Sequence, residues 1–158
     1  MPQGSLFAPS SRAFVINIDG ASRGNPGPAA AGWVVRDAAD GQVLIEEGRF
    51  LGDETCNRAE YFALMFALEA AMMLKASEVT VRSDSQLLVM QMNGQYRVKN
   101  AALKGIYERA KRLADAFDSF RIVHVPREEN RDADKAANAA LDEHKKTHRT
   151  KAAAPEEV

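Results

Sequence analysis

Four acidic residues stand in settings where a carboxylate is not the bland choice. Asp19 closes FVINID, Glu60 lies within TCNRAEYFAL, Asp84 follows VTVRS, and Asp134 sits in NRDADKAANAA. Carboxylates usually stay in water, because burying an unpaired one is costly. Several gathered at one point repel each other unless a cation neutralises them, and hard divalent ions prefer oxygen ligands. The chemistry such a set would do is metal-dependent phosphoryl transfer. Each acid also has an ordinary explanation. Asp19 could make an Asp-Gly turn, Asp84 could cap a helix with Ser85 as competitor, and Glu60 could serve the dipole of a first helical turn. Several such acids, on elements able to converge them, are harder to dismiss.

Those elements can be read from periodicity. Ala13 to Asp19 alternates, with Phe14, Ile16 and Ile18 on one face and Val15, Asn17 and Asp19 on the other, so a strand is expected to end on Asp19. GASRGNPGPAA then reads as a turn-rich connection. AGWVVRD and GQVLIEEGRF flank an Ala-Ala-Asp-Gly turn and predict an antiparallel hairpin. Arg58 to Leu74 is rich in Ala, Leu and Met and predicts a helix. Leu64, Ala67 and Leu68 lie beside Glu60 on that helix, so its carboxylate points along the apolar stripe, whereas Glu69 faces solvent. EVTVRSD predicts a strand, SDSQLLVMQM a short helix ending near Asn93-Gly94, and Asn100 to Phe117 a longer helix. SFRIVHV is a last strand stopped by Pro126, and a final helix runs from Asn130, a candidate cap, to about His144. A hairpin followed by βα units implies an α/β fold with a mixed sheet and helices on its faces.

Bulk properties set bounds. At 158 residues, with 46% hydrophobic and 27% charged residues, the chain is expected to form one soluble domain. Residues 1–12 read as a flexible leader, 13–144 as the catalytic domain, and 145–158 as a disordered tail, basic and then acidic. The lone Cys56 excludes an internal disulfide and fits a cytoplasmic setting. No apolar run reaches the length of a membrane span. A net charge of −1 gives no overall field to draw in nucleic acid, so any such attraction must be local or metal-mediated.

Four segments, IDGASRGNPGPAAAGWVV, TCNRAEYFALMFALEA, VRSDSQLLVMQMNG and HVPREENRDADKAANAAL, resemble the signature segments of ribonuclease H type 1, in that family's order. The resemblance covers about residues 13 to 143. It implies a five-stranded mixed sheet whose first three strands are antiparallel, flanked by helices. It also implies hydrolysis of RNA paired to DNA, leaving 5′-phosphate and 3′-hydroxyl ends. Asp19, Glu60, Asp84 and Asp134 would hold two Mg²⁺ or Mn²⁺ ions, roughly 3.5–4 Å apart, about the scissile phosphate. The pattern selects Asp134 over Asp132, which reads as a first-turn helix acid. Asn25, Asn57 and Gln86 would read 2′-hydroxyls displayed in the minor groove, and Thr55 and Arg58 would contact the backbone or support the site. For Arg58 an ion pair with a nearby acid is an equal alternative. The implied partner is an RNA–DNA hybrid duplex, with no membrane and no obligate protein partner, and a monomer is expected.

Three departures mark this chain. The loop VPREEN lacks the histidine many members carry there, leaving Arg127, Glu128 or Glu129 to do part of its work. QMNGQYRVKNAALKG lacks the basic protrusion of some members and keeps only Arg97, Lys99 and Lys104. Cys56 replaces an amide beside the hydroxyl-reading residues, which leaves open whether RNA–RNA duplexes are also cut. Two further readings stand beside the nuclease: a non-catalytic nucleic-acid-binding domain of the same fold, and a related two-metal nuclease of wider substrate range.

Overall fold

The computed structural model describes residues 12–153, with side chains described through His148. The expected leader falls outside the described residues except for Arg12. A five-stranded sheet has the order β3-β2-β1-β4-β5, with β1 Ala13–Ser22, β2 Gly27–Asp37, β3 Val43–Glu54, β4 Glu78–Ser83 and β5 Ser119–His124. The first three strands pair antiparallel, and β4 and β5 run parallel to β1. The helices are α1 Cys56–Met73, α2 Gln86–Met92, α3 Ala101–Asp115 and α4 Arg131–Ala153, with a 3₁₀ turn at Arg127–Glu129. Among the described residues no helix is long and apolar enough to cross a membrane.

The alternation of β1 decides how the layers form. Phe14, Ile16 and Ile18 are buried with Leu64 and Leu68 of α1 and with Val79 and Val81 of β4. Fully burying each such side chain contributes about 1.5–3 kcal/mol. On the opposite face α4 crosses β2 and β3. Small residues permit this. A Cβ on Gly32 would stand 2.3 Å from the Ala133 carbonyl oxygen, and one on Gly48 would stand 2.2 Å from that of Ala136. Strand β2 is therefore covered on both sides, which explains its nearly continuous apolar sequence.

Capping side chains place the helix starts. Thr55 Oγ1 accepts the Arg58 backbone N–H at 3.2 Å, Ser85 Oγ that of Leu88 at 3.3 Å, and Asn100 Oδ1 that of Ala102 at 2.7 Å. With Ser85 as the cap, Asp84 is free of that task.

Two boundaries differ from the sequence reading. Strand β1 continues past Asp19 to Ser22, because Gly20, Ala21 and Ser22 pair in register with Ala31, Ala30 and Ala29 of β2. The last helix continues from His144 through Lys145 to Ala153. Lys, Arg and Ala propagate a helix once it is nucleated, and His144 stacks on Phe50 of β3 with centroids 3.6 Å apart. Residues 154–158 lie outside the described part.

Candidate active site

Asp19 leaves the middle of the sheet on the face away from α1's apolar stripe, opposite Gly32 in the register. Glu60, in the second turn of α1, reaches it because the β1 backbone passes directly beneath that helix. A Cβ on Gly20 would meet the Glu60 nitrogen at 2.4 Å, so only glycine fits there. Asp84 follows the last residue of the neighbouring parallel strand, a location that favours ligand sites in open α/β sheets. Carboxylate oxygens of Asp19, Glu60 and Asp84 come within 4.8 Å of one another. Asp134, from the first turn of α4, joins the same cleft and hydrogen-bonds the Asp19 carboxyl group. The cleft, about 390 Å³, is also lined by Cys56, Asn57, Ser85 and Arg127.

The electrostatics are those of crowded acids. Burial, the Asp84 charge and the hydrogen bond and charge of Asp134 push the Asp19 carboxyl up to about 8, while Arg127 pulls the other way. Glu60 is held well above the usual carboxylate range by burial and by the charges of Asp19 and Asp84. The Gly20 backbone N–H, donating to its carboxylate, opposes this. Glu60 Oε2 is buried and has no hydrogen-bond partner. An orphaned buried carboxylate oxygen beside two more acids is a donor set that suits a hard divalent cation.

Asn25, Thr55, Asn57 and Arg58 line an adjoining cleft with Asn100, Ala102 and Leu103, and Asn57 belongs to both clefts. Gln86 is the exposed first residue of α2 and lines neither. Asn25 Oδ1 accepts the Cys56 backbone N–H at 3.0 Å, so it helps cap the start of α1. Arg58 is paired structurally: its Nε lies 3.0 and 2.8 Å from the two Glu54 oxygens, and its Nη1 donates to the Ala102 carbonyl at 2.5 Å. Of the three residues suggested in place of the loop histidine, Arg127 lines the acidic cleft. Glu128 and Glu129 line another one, where Glu129 pairs with Arg82 at 2.9 Å. Asp132 pairs with Arg36, which accounts for the acid competing with Asp134. His124 is exposed on edge strand β5.

Sequence reasoning missed the amides that hold the site together. Asn130 is not a side-chain cap: its Oδ1 accepts from Asn17 Nδ2 at 2.9 Å and its Nδ2 donates to the Ile18 carbonyl at 2.8 Å. This buried pair fixes the start of α4 against β1, one residue from Asp19. The only signal was an Asn within the strand-like run FVINID.

Residues 17–140 match the protein family described as Reverse transcriptase-like. Ribonuclease HI of Halobacterium salinarum is 46% identical over 126 residues, which are 80% of this chain and 63% of that protein. The bifunctional protein Rv2228c of Mycobacterium tuberculosis is 44% identical over 128 residues, 81% of this chain and 35% of that one. The chain thus spans only part of the length of these curated relatives. The crystal structure of RNase H1 from Halobacterium salinarum superposes with a TM-score of 0.80 at 44% identity, covering 83% of this chain and 98% of that one. LC11-RNase H1, solved in complex with an RNA/DNA hybrid, gives 0.79 at 40% identity with the same coverage. The chain belongs to the ribonuclease H type 1 family.

Proposed function

We propose that this chain hydrolyses the RNA strand of RNA–DNA hybrids in a reaction that depends on divalent metal ions. The observation that carries the reading is the cluster of Asp19, Glu60 and Asp84 oxygens around a buried, unpartnered Glu60 Oε2. Similarity to LC11-RNase H1, solved with an RNA/DNA hybrid, supports the substrate class.

Asp19, Glu60, Asp84 and Asp134 are the residues proposed to hold two Mg²⁺ or Mn²⁺ ions. When bound, such ions supply an activated water and stabilise the leaving 3′ oxygen, which gives 5′-phosphate and 3′-hydroxyl ends. Asp19 is central to the cluster, with the Glu60 and Asp84 carboxylates beside it and Asp134 hydrogen-bonded to it. The Gly20 N–H orients the Glu60 carboxylate, and the Asn17–Asn130 pair brings Asp134 up to Asp19. Arg127 on the rim offers a cation to the phosphate and to the product as it leaves. Asn25, Asn57 and Gln86 would read 2′-hydroxyls, with Asn57 linking the acidic cleft to the one beside it. Thr55 and Arg58 would act by shaping the α1 start. Arg97 and Lys104, which line a cleft with Tyr96 and Tyr107, would add local attraction for the duplex. A monomer acting in a reducing, cytoplasmic setting goes with this reading.

One labelled sequence presented as RNA–DNA hybrid, RNA–RNA, DNA–DNA and single-stranded RNA tests the proposal. Cutting of the hybrid alone is expected. Equal cutting of RNA–RNA would make Cys56 and the short loop determinants of a broader substrate range, and binding without cutting would favour a non-catalytic domain.

A further inference from the structure

Asn138 sits one turn after Asp134 on α4, half-buried in a helix interior where Asn is a poor helix former. Its Nδ2 donates to the Asp134 carboxylate at 3.1 Å and to the Asp134 carbonyl at 3.0 Å. Its Oδ1 accepts from Arg23 Nη2 at 3.3 Å, and the same guanidinium nitrogen lies 2.7 Å from Asp142 Oδ1. Asp134, Asn138 and Asp142 are spaced i, i+4, i+8, so they form one ladder along the helix. Arg23, next after the cleft-lining Ser22, spans its upper rungs.

This wiring fixes the amide. Turned over, it would set its carbonyl against a carboxylate and its NH₂ against a guanidinium. As placed, it holds one Asp134 oxygen and leaves the rest of the carboxylate toward Asp19. Groups behind a metal ligand commonly decide its orientation and charge in this way. We propose that Asn138, anchored by Arg23, is a positioning residue that aims the Asp134 carboxylate into the acidic cleft. The proposal rests on the metal-dependent reading of that cleft. It makes the β1–β2 connection, through Arg23, a support for the fourth acid.

Mn²⁺ titration calorimetry on the full chain, with hybrid-cleavage kinetics beside it, tests the assignment. Asn138→Ala should weaken Mn²⁺ binding about 10–100-fold and lower kcat while leaving the KM for hybrid near its starting value. Asn138→Leu, of similar volume and better helix propensity, should show the same loss and covers the case in which the alanine variant does not fold. Asn138→Gln, which keeps the donor, should recover part of the affinity, and Arg23→Ala should show a smaller loss than Asn138→Ala. A merely structural role would lower the melting temperature and leave Mn²⁺ affinity unchanged, and that result overturns the proposal. If the unsubstituted chain binds no Mn²⁺, the reading of the cleft itself fails. If it binds Mn²⁺ and both Asn138→Ala and Asn138→Leu match it, only the role of Asn138 fails.

Discussion

Gly20 lies so close beneath Glu60 that an added Cβ would stand 2.4 Å from the Glu60 backbone nitrogen. The contact joins the central strand to the helix carrying the buried Glu60, and it is backbone against backbone, so neither side can yield alone. Gly20→Ala should therefore destabilise the chain by about 1–3 kcal/mol and displace α1 from Asp19. Hybrid cleavage should fall by more than the unfolded fraction explains. Chemical denaturation and kinetics on the same preparation check both parts.

Glu60→Gln keeps the shape of the side chain and removes its charge. Without metal it should melt higher than the unsubstituted chain at pH 8, since one member of a repelling buried cluster is gone. Cleavage should fall by at least about 100-fold, on the scale at which losing a precisely placed charged group costs catalysis. Gain of stability with loss of activity is the signature of an acid kept for function. A loss of both would place Glu60 in the structure instead.

The metal-free protein should lose stability as pH rises. Asp19 in the folded chain holds its proton up to about 8, against an ordinary value of 3.8, so between these values the folded state binds more protons than the unfolded one. Stability from this group is fully present below the unfolded value and is lost as pH rises through the folded one. The melting temperature should fall from pH 5 to 9 in chelator, and Asp19→Asn should flatten that fall. Divalent metal, which favours the charged carboxylates, should also flatten it, with proton release on binding below pH 8.

Arg127→Ala should lower kcat, because Arg127 alone of the three proposed substitutes for the loop histidine lines the acidic cleft. Unchanged kcat would remove it from the reaction. Arg58→Ala should behave differently: losing the Glu54 pair and the Ala102 bond should cost on the order of 1 kcal/mol. Its kinetic effect should be mainly on KM, through the cleft it shares with Asn100.

Much of this arrangement was legible in the chain. Alternation in FVINID, the apolar stripe around Glu60 and the strand before Asp84 each gave an element and an orientation, because burial imposes a period that sequence records. Less legible was what joins elements far apart in the chain. Asn17 and Asn130 are 113 positions apart and Arg23 and Asn138 are 115 apart, and no local pattern announces either pair. The strand end was misplaced at Asp19 because Gly20 reads as a turn residue, whereas it is required by the approach of α1. The sequence reading ends the last helix at His144 because Lys145 to His148 are exposed and carry no apolar period, and helices propagate without a core beneath them.

Most directly at stake is whether the acidic cleft cuts RNA in a hybrid with metal. A single end-labelled RNA–DNA hybrid, incubated with Mg²⁺, with Mn²⁺ and with chelator, alongside Asp84→Asn, decides it. RNA fragments with 3′-hydroxyl ends are expected in either metal, none in chelator, and none from the variant. Cleavage that persists in chelator, or in Asp84→Asn with metal, would contradict it.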